Sequence, residues 1–490
     1  MKVNLAGFNL DISLFDKLFN QISNGGNLTE AEKILEKIEL TPETISAAYA
    51  RISRSQKAVD VLRQIAIKNV TRARKSNKNI VFDMGHSSIA EHAVFNFDII
   101  GISRYLIEFV QRTRLASYTE KSQRYVTLDG DFVTPIELDA RIELKEQFLE
   151  LIEKQNKAYF ELYNKLIYYY NHKNENLQNK SRRELESKAK EDARYVLSLS
   201  TKTQMGMTIN ARSLERLLKR LYSQKFKEAS ELADKLYHLA KNRTPSLIRY
   251  VEPSSYDRGL YNFSNKNNKI YDRIENKLLN YSPNIDVNIL AALLFRKTGE
   301  SYEILKIELE NMDYDEKLNF LKKNLQNIES YDPLPRSFEY ADLTYQLNIS
   351  SSCFAQLKRH RLSSVLTSDY CPEYGVTIPT AIKNADLENI FNNIVSYTNS
   401  VYTVFADKIP QVKNYVLTNA HHKAVLFKLN IRELSNFARL RQDKHAQWEI
   451  REVANFIVNE AKKVAPITTK LIAGKDKFRE KAKDFFTSVK

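Results

Sequence analysis

The chain contains pairs of similar segments that recur in the same order, and this internal repeat constrains the fold more than any other feature. Gln111-Arg-Thr-Arg-Leu-Ala-Ser117 is similar to Lys358-Arg-His-Arg-Leu-Ser-Ser364, and residues 209–218 are similar to residues 429–438. A length of 490 residues accommodates two copies of one domain. We therefore predict a tandem duplication.

The repeat predicts domain boundaries. A weaker pair, residues 45–53 and 288–295, reads as a short helix near the start of each copy. A polar, Asn-rich stretch at residues 261–269 has the composition of a linker. The predicted segments are an N-terminal extension (1–40), copy one (41–250), a linker (251–284), copy two (285–470) and a basic C-terminal tail (471–490).

Hydrophobic periodicity predicts both helices and strands. Residues 93–100 and 341–349 alternate between apolar and polar side chains, as strands do. Residues 209–218 and 429–438 have the pattern of amphipathic helices. Copy one is longer because of a Lys- and Glu-rich stretch at residues 142–190, which we interpret as a solvated helical hairpin.

The charge balance leaves two readings open. The chain has 75 Lys and Arg residues against 60 Asp and Glu, a formal charge of +15. This excess suits binding to nucleic acid or to an anionic small substrate, and equally suits a lysine-rich surface with no specific role. Two cysteines, Cys353 and Cys371, exclude a disulfide scaffold and a Cys-rich zinc site.

No segment has the pattern of a membrane anchor. Asp11 interrupts the N-terminal sequence before an apolar signal region forms, and the apolar run at residues 289–295 is too short to cross a bilayer. We therefore expect a cytoplasmic protein.

Three basic segments are candidates for chemistry. One contains Arg112, Arg114, Glu120, Ser122 and Arg124, and guanidinium groups beside small hydroxyl donors suit a phosphate or carboxylate. The other reading of this segment is an exposed basic loop. The second segment is the basic triplet at residues 359–361, which follows a stretch whose composition is typical of a buried segment. The third is residues 439–451, which have a helical pattern and contain the only tryptophan of the chain.

A histidine pair in copy one could suggest a metal site. His86 and His92 lie in Gly85-His-Ser-Ser-Ile-Ala-Glu-His92. A helical zinc motif places two histidines four residues apart, whereas these are six apart and would face different sides of a helix. We therefore predict no metal site.

Several motifs together resemble those of the flavin-dependent thymidylate synthases. These are Gly85-His-Ser-Ser-Ile-Ala-Glu-His92, then Arg-x-Arg-x-x-Ser-x-x-Glu-x-Ser-x-Arg-Tyr, Asn-x-Arg-x-Leu, and Leu-Arg-x-Asp-x-His-Ala-Gln-Trp-Glu-Ile. The resemblance covers most of both copies. It implies an α+β fold, two tandem copies of helices around a small antiparallel or mixed sheet. It also implies FAD as cofactor, methylenetetrahydrofolate as carbon donor, NADPH or a similar reductant, and conversion of dUMP to dTMP.

The resemblance assigns the flavin and the uracil to copy two. It implies that FAD is held by six residues of copy two, namely Arg359, His360, Arg361, Asn430, Arg432 and Asn436. It implies that Gln356 and Arg359 hold dUMP and that Arg441 ionises the uracil as the catalytic residue. Copy one has Thr113, Phe109 and Leu221 at the positions of His360, Gln356 and Arg441.

The resemblance assigns the phosphate of dUMP and the folate side to copy one. The residues implied for dUMP are Glu120, Lys121, Ser122, Gln123, Arg124 and Arg194. Ser88 and Glu91 are implied for FAD, and His86 for the folate side. Copy two has Leu366-Thr-Ser-Asp-Tyr370 and Asn414 in the corresponding phosphate positions.

The losses in the two copies are complementary, which predicts one complete site assembled from both. Because the family's enzymes are homotetramers with sites built between subunits, we expect a homodimer that forms a pseudo-tetramer of four copies. Two alternatives remain at this point. One is a related flavin-dependent one-carbon transfer to a pyrimidine nucleotide. The other is a catalytically dead nucleotide- or nucleic-acid-binding paralogue that uses the positive charge; we expect no nucleic-acid partner.

Overall fold

The computed structural model describes residues 1–23, 39–126, 130–172, 181–261 and 274–487. Parts of the predicted N-terminal extension, helical hairpin, linker and C-terminal tail lie outside these residues. The chain divides into two compact units. Unit 1 contains the described residues of Met1–Ala158, Leu197–Asn268 and Ile394–Leu417, and unit 2 contains those of Tyr159–Val196, Lys269–Asn393 and Thr418–Lys490.

Unit 1 contains a four-stranded antiparallel sheet. Its strands are β1 (Lys2–Phe8), β2 (Val94–Ser103), β3 (Ala116–Glu120) and β4 (Lys202–Asn210), in the order β1-β2-β4-β3. The alternation predicted near residues 93–100 is confirmed, because every second side chain of β2 is buried on one face of the sheet.

Unit 2 contains a second antiparallel sheet with the same connectivity. Its strands are β5 (Lys277–Tyr281), β6 (Asp342–Ser350), β7 (Ser364–Tyr370) and β8 (His422–Asn430), in the order β5-β6-β8-β7. Two sheets with one strand order confirm the α+β class and the tandem arrangement.

Helices pack around both sheets. The α-helices, in chain order, are α1 Ile12–Ser23, α2 Glu43–Ala50, α3 Val59–Lys68, α4 Val70–Lys78, α5 Arg104–Gln111, α6 Ile142–His172, α7 Arg182–Ala193, α8 Ala211–Tyr222, α9 Lys227–Lys241, α10 Ser255–Tyr261, α11 Ile285–Thr298, α12 Tyr302–Asn311, α13 Tyr314–Asn324, α14 Ser351–Leu357, α15 Thr380–Asn384, α16 Glu388–Lys408, α17 Ile431–Arg441, α18 Trp448–Val464 and α19 Phe478–Thr487. None of the described helices is both long enough and apolar enough to cross a bilayer.

The two predicted amphipathic helices begin later than their sequence pattern. Asn210 and Asn430 end strands β4 and β8, and each caps the helix that follows. Their Oδ1 atoms accept hydrogen bonds from the backbone N–H of Ser213 and Glu433, both at 2.8 Å. An asparagine at this position satisfies one of the unpaired N–H groups of the first helical turn, which fixes the boundary between strand and helix.

The predicted solvated hairpin is helical but is not solvated throughout. Leu151, Leu162 and Leu166 of α6 are fully buried, so this interpretation is wrong for one face of the helix. The Tyr170 hydroxyl donates to Oδ2 of Asp192 at 2.5 Å, which ties α6 to the residues just before the 3-10 turn Arg194–Val196.

Each unit includes a segment that the sequence repeat assigns to the other copy. In unit 2, the Tyr195 hydroxyl donates to Oε2 of Glu449 at 2.6 Å. In unit 1, the Tyr415 hydroxyl donates to Oε2 of Glu228 at 2.5 Å. All four side chains are buried. The compact units therefore do not coincide with contiguous stretches of the chain, and the predicted domain boundaries remain predictions.

Candidate active site

The side chain of Arg441 is held at the C-terminal end of α17 by two residues that follow strand β6. Its Nη1 donates to Oε1 of Gln356 at 3.2 Å, and its Nη2 donates to the backbone carbonyl of Gln356 at 3.1 Å. Its Nε donates to Nε2 of His360 at 2.9 Å. Three N–H groups that point in different directions are thus fixed, which sets the plane of the guanidinium group.

The buried His360 has a defined protonation state. Since arginine can only donate, Nε2 of His360 must accept, and the remaining proton lies on Nδ1. Nδ1 lies 3.2 Å from Oε1 of Glu433, which accepts that proton in a hydrogen bond. Burial lowers the pKa of His360, and the charge of Arg441 lowers it further, whereas Glu433 raises it. The neutral imidazole therefore links the Glu433 carboxylate to Arg441.

The same reasoning orients the amide of Gln356. Because its Oε1 accepts from Arg441, its NH₂ group points away from the guanidinium. This NH₂ group has no hydrogen-bond partner among the residues that the structure describes. Gln356 is half-buried, so it presents two N–H donors beside the fixed guanidinium.

The residues predicted to hold flavin divide into two sets. Arg359 is exposed and makes no hydrogen bond or ion pair with any described residue, and Arg361 is also exposed. Nδ2 of Asn436 donates a hydrogen bond to Oε2 of Glu433 at 3.3 Å. The exposed, unpaired guanidinium of Arg359, beside the buried His360, fits the phosphate groups of a dinucleotide.

The second set is engaged inside the fold. The Asn430 side chain caps α17, and Arg432 donates to the Leu334 carbonyl at 2.7 Å and to Oε1 of Glu339 at 2.9 Å. In unit 1 the same ion pair recurs between Arg212 and Glu91. Arg432 and Glu91 therefore pin a neighbouring loop in their own units.

Arg194 lies in unit 2 although the repeat assigns it to copy one. Its side chain is buried, and its Nε donates to the Glu191 carbonyl at 3.2 Å.

Burial raises the pKa of the Cys353 thiol well above its usual value, and Glu449 adds to this, whereas the charges of Arg441 and Arg194 oppose it. Both guanidinium groups thus act on one thiol. Cys353 remains a neutral thiol, not a nucleophilic thiolate.

The predicted phosphate loop follows strand β3 in unit 1. Glu120 forms an ion pair with Arg104 and accepts from Nε2 of Gln111 at 3.1 Å. The Ser122 hydroxyl accepts from the backbone N–H of Arg124 at 3.1 Å, which folds the loop into a turn.

The remaining predicted residues of unit 1 flank this sheet. Lys121 is anchored by its backbone N–H to the Gln204 carbonyl at 2.9 Å, and Gln123 is buried. His86 and Ser88 are exposed in and beside the 3-10 turn Ser87–His92. Among the described residues, no three His, Cys, Asp or Glu side chains come together as a metal site would require.

The unit 1 counterpart of the Arg441 site differs from the sequence comparison. Arg220, one position before Leu221, directs Nη1 to the Phe109 carbonyl and to Oγ1 of Thr113, both at 3.3 Å. Arg220 thus contacts the residues that replace Gln356 and His360. Leu221 still aligns with Arg441, because Asn210 and Asn430 cap their helices at equivalent positions, and the preceding residue, Arg220, makes these contacts instead.

Aromatic side chains fill the unit 1 counterpart. Tyr105, Phe109 and Phe226 are buried, with ring centroids 5.1–5.3 Å apart. The polar amide of Gln356 is absent there, and so is a carboxylate like that of Glu433, because residue 213 is serine. This packing leaves unit 1 without the polar set found in unit 2.

Sequence reasoning missed Glu433 and the Tyr195–Glu449 pair. Asn430 and Glu433 have the spacing of a capping pair, a signal for a helix start that gives no hint of the contact with His360. Trp448 is half-buried; its ring stacks on Tyr195, and its Nε1–H donates to Oδ1 of Asp192 at 2.8 Å.

Comparison with known proteins places the repeat in a family. The sequence model of the thymidylate synthase complementing protein family matches residues 34–246 and 277–467. The UPF0159 protein of Thermoplasma acidophilum is 24% identical over 449 residues, covering 81% of this chain and 88% of the relative. The flavin-dependent thymidylate synthase of Clostridium tetani is 33% identical over 217 residues, covering 44% of this chain and 83% of the relative.

A solved structure also resembles part of the chain. It is the UMP/dUMP methylase PolB from Streptomyces cacaoi bound with 5-Br dUMP, with a TM-score of 0.33 and 16% identity, covering 41% of this chain and 96% of that one.

Proposed function

Because the chain belongs to the thymidylate synthase complementing protein family, we propose that it catalyses the reductive methylation of dUMP to dTMP. The carbon donor is methylenetetrahydrofolate and NADPH is the reductant. When bound, FAD supplies the hydride that converts the transferred methylene into a methyl group. The observation that carries the proposal is the fixed Arg441 guanidinium beside the outward-facing amide of Gln356.

Arg441 acts on the uracil ring. Ionisation of the uracil places negative charge on the ring and its carbonyl oxygens, which makes C5 nucleophilic enough to attack an electrophilic methylene, and the C5 proton leaves afterwards. A guanidinium held in place before the reaction stabilises that charge without reorganising. Its hydrogen bonds to His360 and Gln356 provide this rigidity.

Gln356 orients the base. Its NH₂ group faces away from Arg441 and donates to a carbonyl oxygen of the pyrimidine. A fixed pair of donors at adjacent positions suits a planar ring with two carbonyl groups. The Glu433–His360 hydrogen bond holds both donors indirectly, by keeping the acceptor nitrogen of His360 towards Arg441.

Arg124, Ser122 and Arg194 bind the phosphate of dUMP, with Glu120, Lys121 and Gln123 completing that loop. Guanidinium groups bind phosphate through two parallel hydrogen bonds, and the Ser122 hydroxyl adds a neutral donor. The presence of Arg194 in the unit that holds Arg441 supports this assignment.

Arg359 and Arg361 bind the phosphates of FAD, and Arg359 also contacts dUMP. His360 and Asn436 form the wall beneath them, and Asn430 shapes this wall as the cap of α17. Arg432, Ser88 and Glu91 complete the flavin site, and His86 lies on the folate side. For Arg432 and Glu91 this role requires their present ion pairs to be shared or exchanged.

Both copies contribute to one site. The polar set around Arg441 occurs in copy two and the phosphate loop in copy one, so each copy lacks what the other retains. Two chains form a cytoplasmic pseudo-tetramer with half the number of sites expected from four equivalent copies.

The test is product identification. The purified chain is loaded with FAD and incubated with NADPH, methylenetetrahydrofolate and dUMP labelled with tritium at C5. Tritium release together with a product of the mass of dTMP supports the proposal. Tritium release with a product of another mass indicates a related one-carbon transfer. A colourless protein that cannot be loaded with FAD and releases no tritium contradicts the proposal.

A further inference from the structure

The C-terminal segment, residues 468–487, lies outside the family match, which ends at residue 467, and it is part of unit 2. Phe478 and Phe485 are buried on the inner face of α19. A Cβ on Gly474 would lie 2.8 Å from the backbone of Gln442 and Asp443, so only glycine permits this approach. The backbone N–H of Lys475 also donates to the Arg439 carbonyl at 3.1 Å. The segment is therefore anchored beside the end of α17.

This segment encloses a cavity of about 620 Å³ between α18, α19 and the loop after Arg441. The volume is that of a typical small-molecule site. Five cationic side chains line it, namely Lys444, Arg451, Lys462, Lys477 and Lys481. None of the five makes an ion pair within 4 Å with any residue that the structure describes.

Three carboxylates also line the cavity, Asp476, Glu480 and Asp484. They leave an excess of two positive charges, and none of them is ion-paired within the described part of the chain. Glu480 and Asp484 of α19 are four residues apart, and so are Lys477, which directly precedes the helix, and Lys481. Residues at this spacing lie on one face of a helix, so the basic and the acidic side chains form two neighbouring rows.

Like charges face each other across this cavity. Burial lowers the pKa of Lys462, and the neighbouring ammonium of Lys481 lowers it further. Two ammonium groups on adjacent helices repel each other in the absence of a counter-ion, and neither forms an ion pair with a carboxylate among the described residues. A cleft with uncompensated positive charge attracts anions.

We propose that this cavity binds a small polyanion that carries two or more phosphate or carboxylate groups. Its size and the spread of the five cations fit several anionic groups better than one. The site is formed by the C-terminal segment together with α18 and the loop after Arg441, and it does not depend on the reaction proposed for Arg441.

The test measures binding of two probes to the full-length chain by titration calorimetry. Tripolyphosphate represents phosphates, and tetraglutamate represents carboxylates. We expect at least one probe to bind, with affinity that falls as salt rises, and the stronger probe identifies the source. The Lys462→Ala/Lys481→Ala variant should bind at least tenfold more weakly.

The matched control is Lys463→Ala/Lys483→Ala, which removes two positive charges from exposed positions of the same two helices. This control should bind within twofold of the unmodified chain. The proposal is overturned if neither probe binds at millimolar concentration, or if both variants weaken binding equally. It is also overturned if single-stranded nucleic acid alone binds. An unchanged melting temperature confirms that both variants are folded.

Discussion

The Nε–H of Arg441 donates to Nε2 of His360 at 2.9 Å, which is possible only while that imidazole is neutral. Burial holds the pKa of His360 below its usual value, so the acceptor is retained near neutral pH. In unit 1, Arg220, which precedes the residue aligned with Arg441, contacts Thr113 instead of a histidine. Both copies therefore place an arginine beside this pair of aligned positions, but only in copy two does the arginine contact a histidine that is itself hydrogen-bonded to a carboxylate.

Replacing Arg441 should remove turnover without removing flavin. We expect Arg441→Ala and Arg441→Lys to lower kcat about 10²–10³-fold, since a preorganised donor to the developing charge is lost or misplaced. The FAD absorbance of the purified variant should remain. Arg220→Ala is the matched control and should keep kcat within a few-fold; equal losses in both variants would show that unit 1 also carries a working site.

Replacing Arg124 should weaken dUMP binding. The loss of one charge-assisted hydrogen-bonding group to phosphate costs about 1.5–3 kcal/mol, which raises Kd about 10–100-fold. Equilibrium dialysis with labelled dUMP measures this directly. Arg72→Ala, which removes an exposed arginine of α4, should leave Kd unchanged. A normal Kd for Arg124→Ala would remove the loop from the phosphate site.

Tyr195→Phe and Tyr415→Phe separate stability from binding. Each removes a hydroxyl that donates to a buried carboxylate, Glu449 or Glu228, and should destabilise the fold by about 1–3 kcal/mol. Both variants should therefore melt at lower temperature. Because Tyr195 adjoins Arg194, only Tyr195→Phe should raise KM for dUMP. A rise of the same size in Tyr415→Phe would contradict this assignment.

Acid should destabilise the protein partly through His421. Burial lowers the pKa of His421 to about 3, from a usual value of 6.5. Below pH 6.5 the unfolded state binds the proton and the folded state does not, so stability falls as pH falls towards 3. The slope from this residue is about 1.4 kcal/mol per pH unit.

The histidine-to-asparagine variant at position 421 isolates this contribution. Asparagine retains an acceptor for the backbone N–H of Thr418, which Nδ1 of His421 accepts at 3.0 Å. We expect His421→Asn to lose less stability between pH 6.5 and pH 5 than the unmodified chain, as measured by denaturant titration. His445→Asn, at an exposed position, should not change the slope. Parallel pH profiles for all three proteins would refute the role of His421.

Local features were predictable from the sequence. Strands β2 and β6 follow from alternation, and helices α8 and α17 follow from their amphipathic pattern, because both signals arise from neighbouring residues. The family and the duplication follow from motifs that occur in a fixed order.

Contacts between distant residues were not predictable. The bond between His360 and Glu433 joins residues 73 positions apart, and the one between Tyr195 and Glu449 joins residues 254 apart. No local period encodes either contact. Arg220 was missed because Leu221 is the residue that aligns with Arg441, and an alignment of motifs does not show that the preceding side chain reaches Thr113.

The central claim is that the two copies share one site per chain. Its most direct test is the number of ligands bound by the purified, flavin-loaded protein, measured as FAD per chain by absorbance and as labelled dUMP per chain by equilibrium dialysis. A shared site predicts one FAD and one dUMP per chain. Two of each per chain would show that both copies retain complete sites, and would contradict the claim.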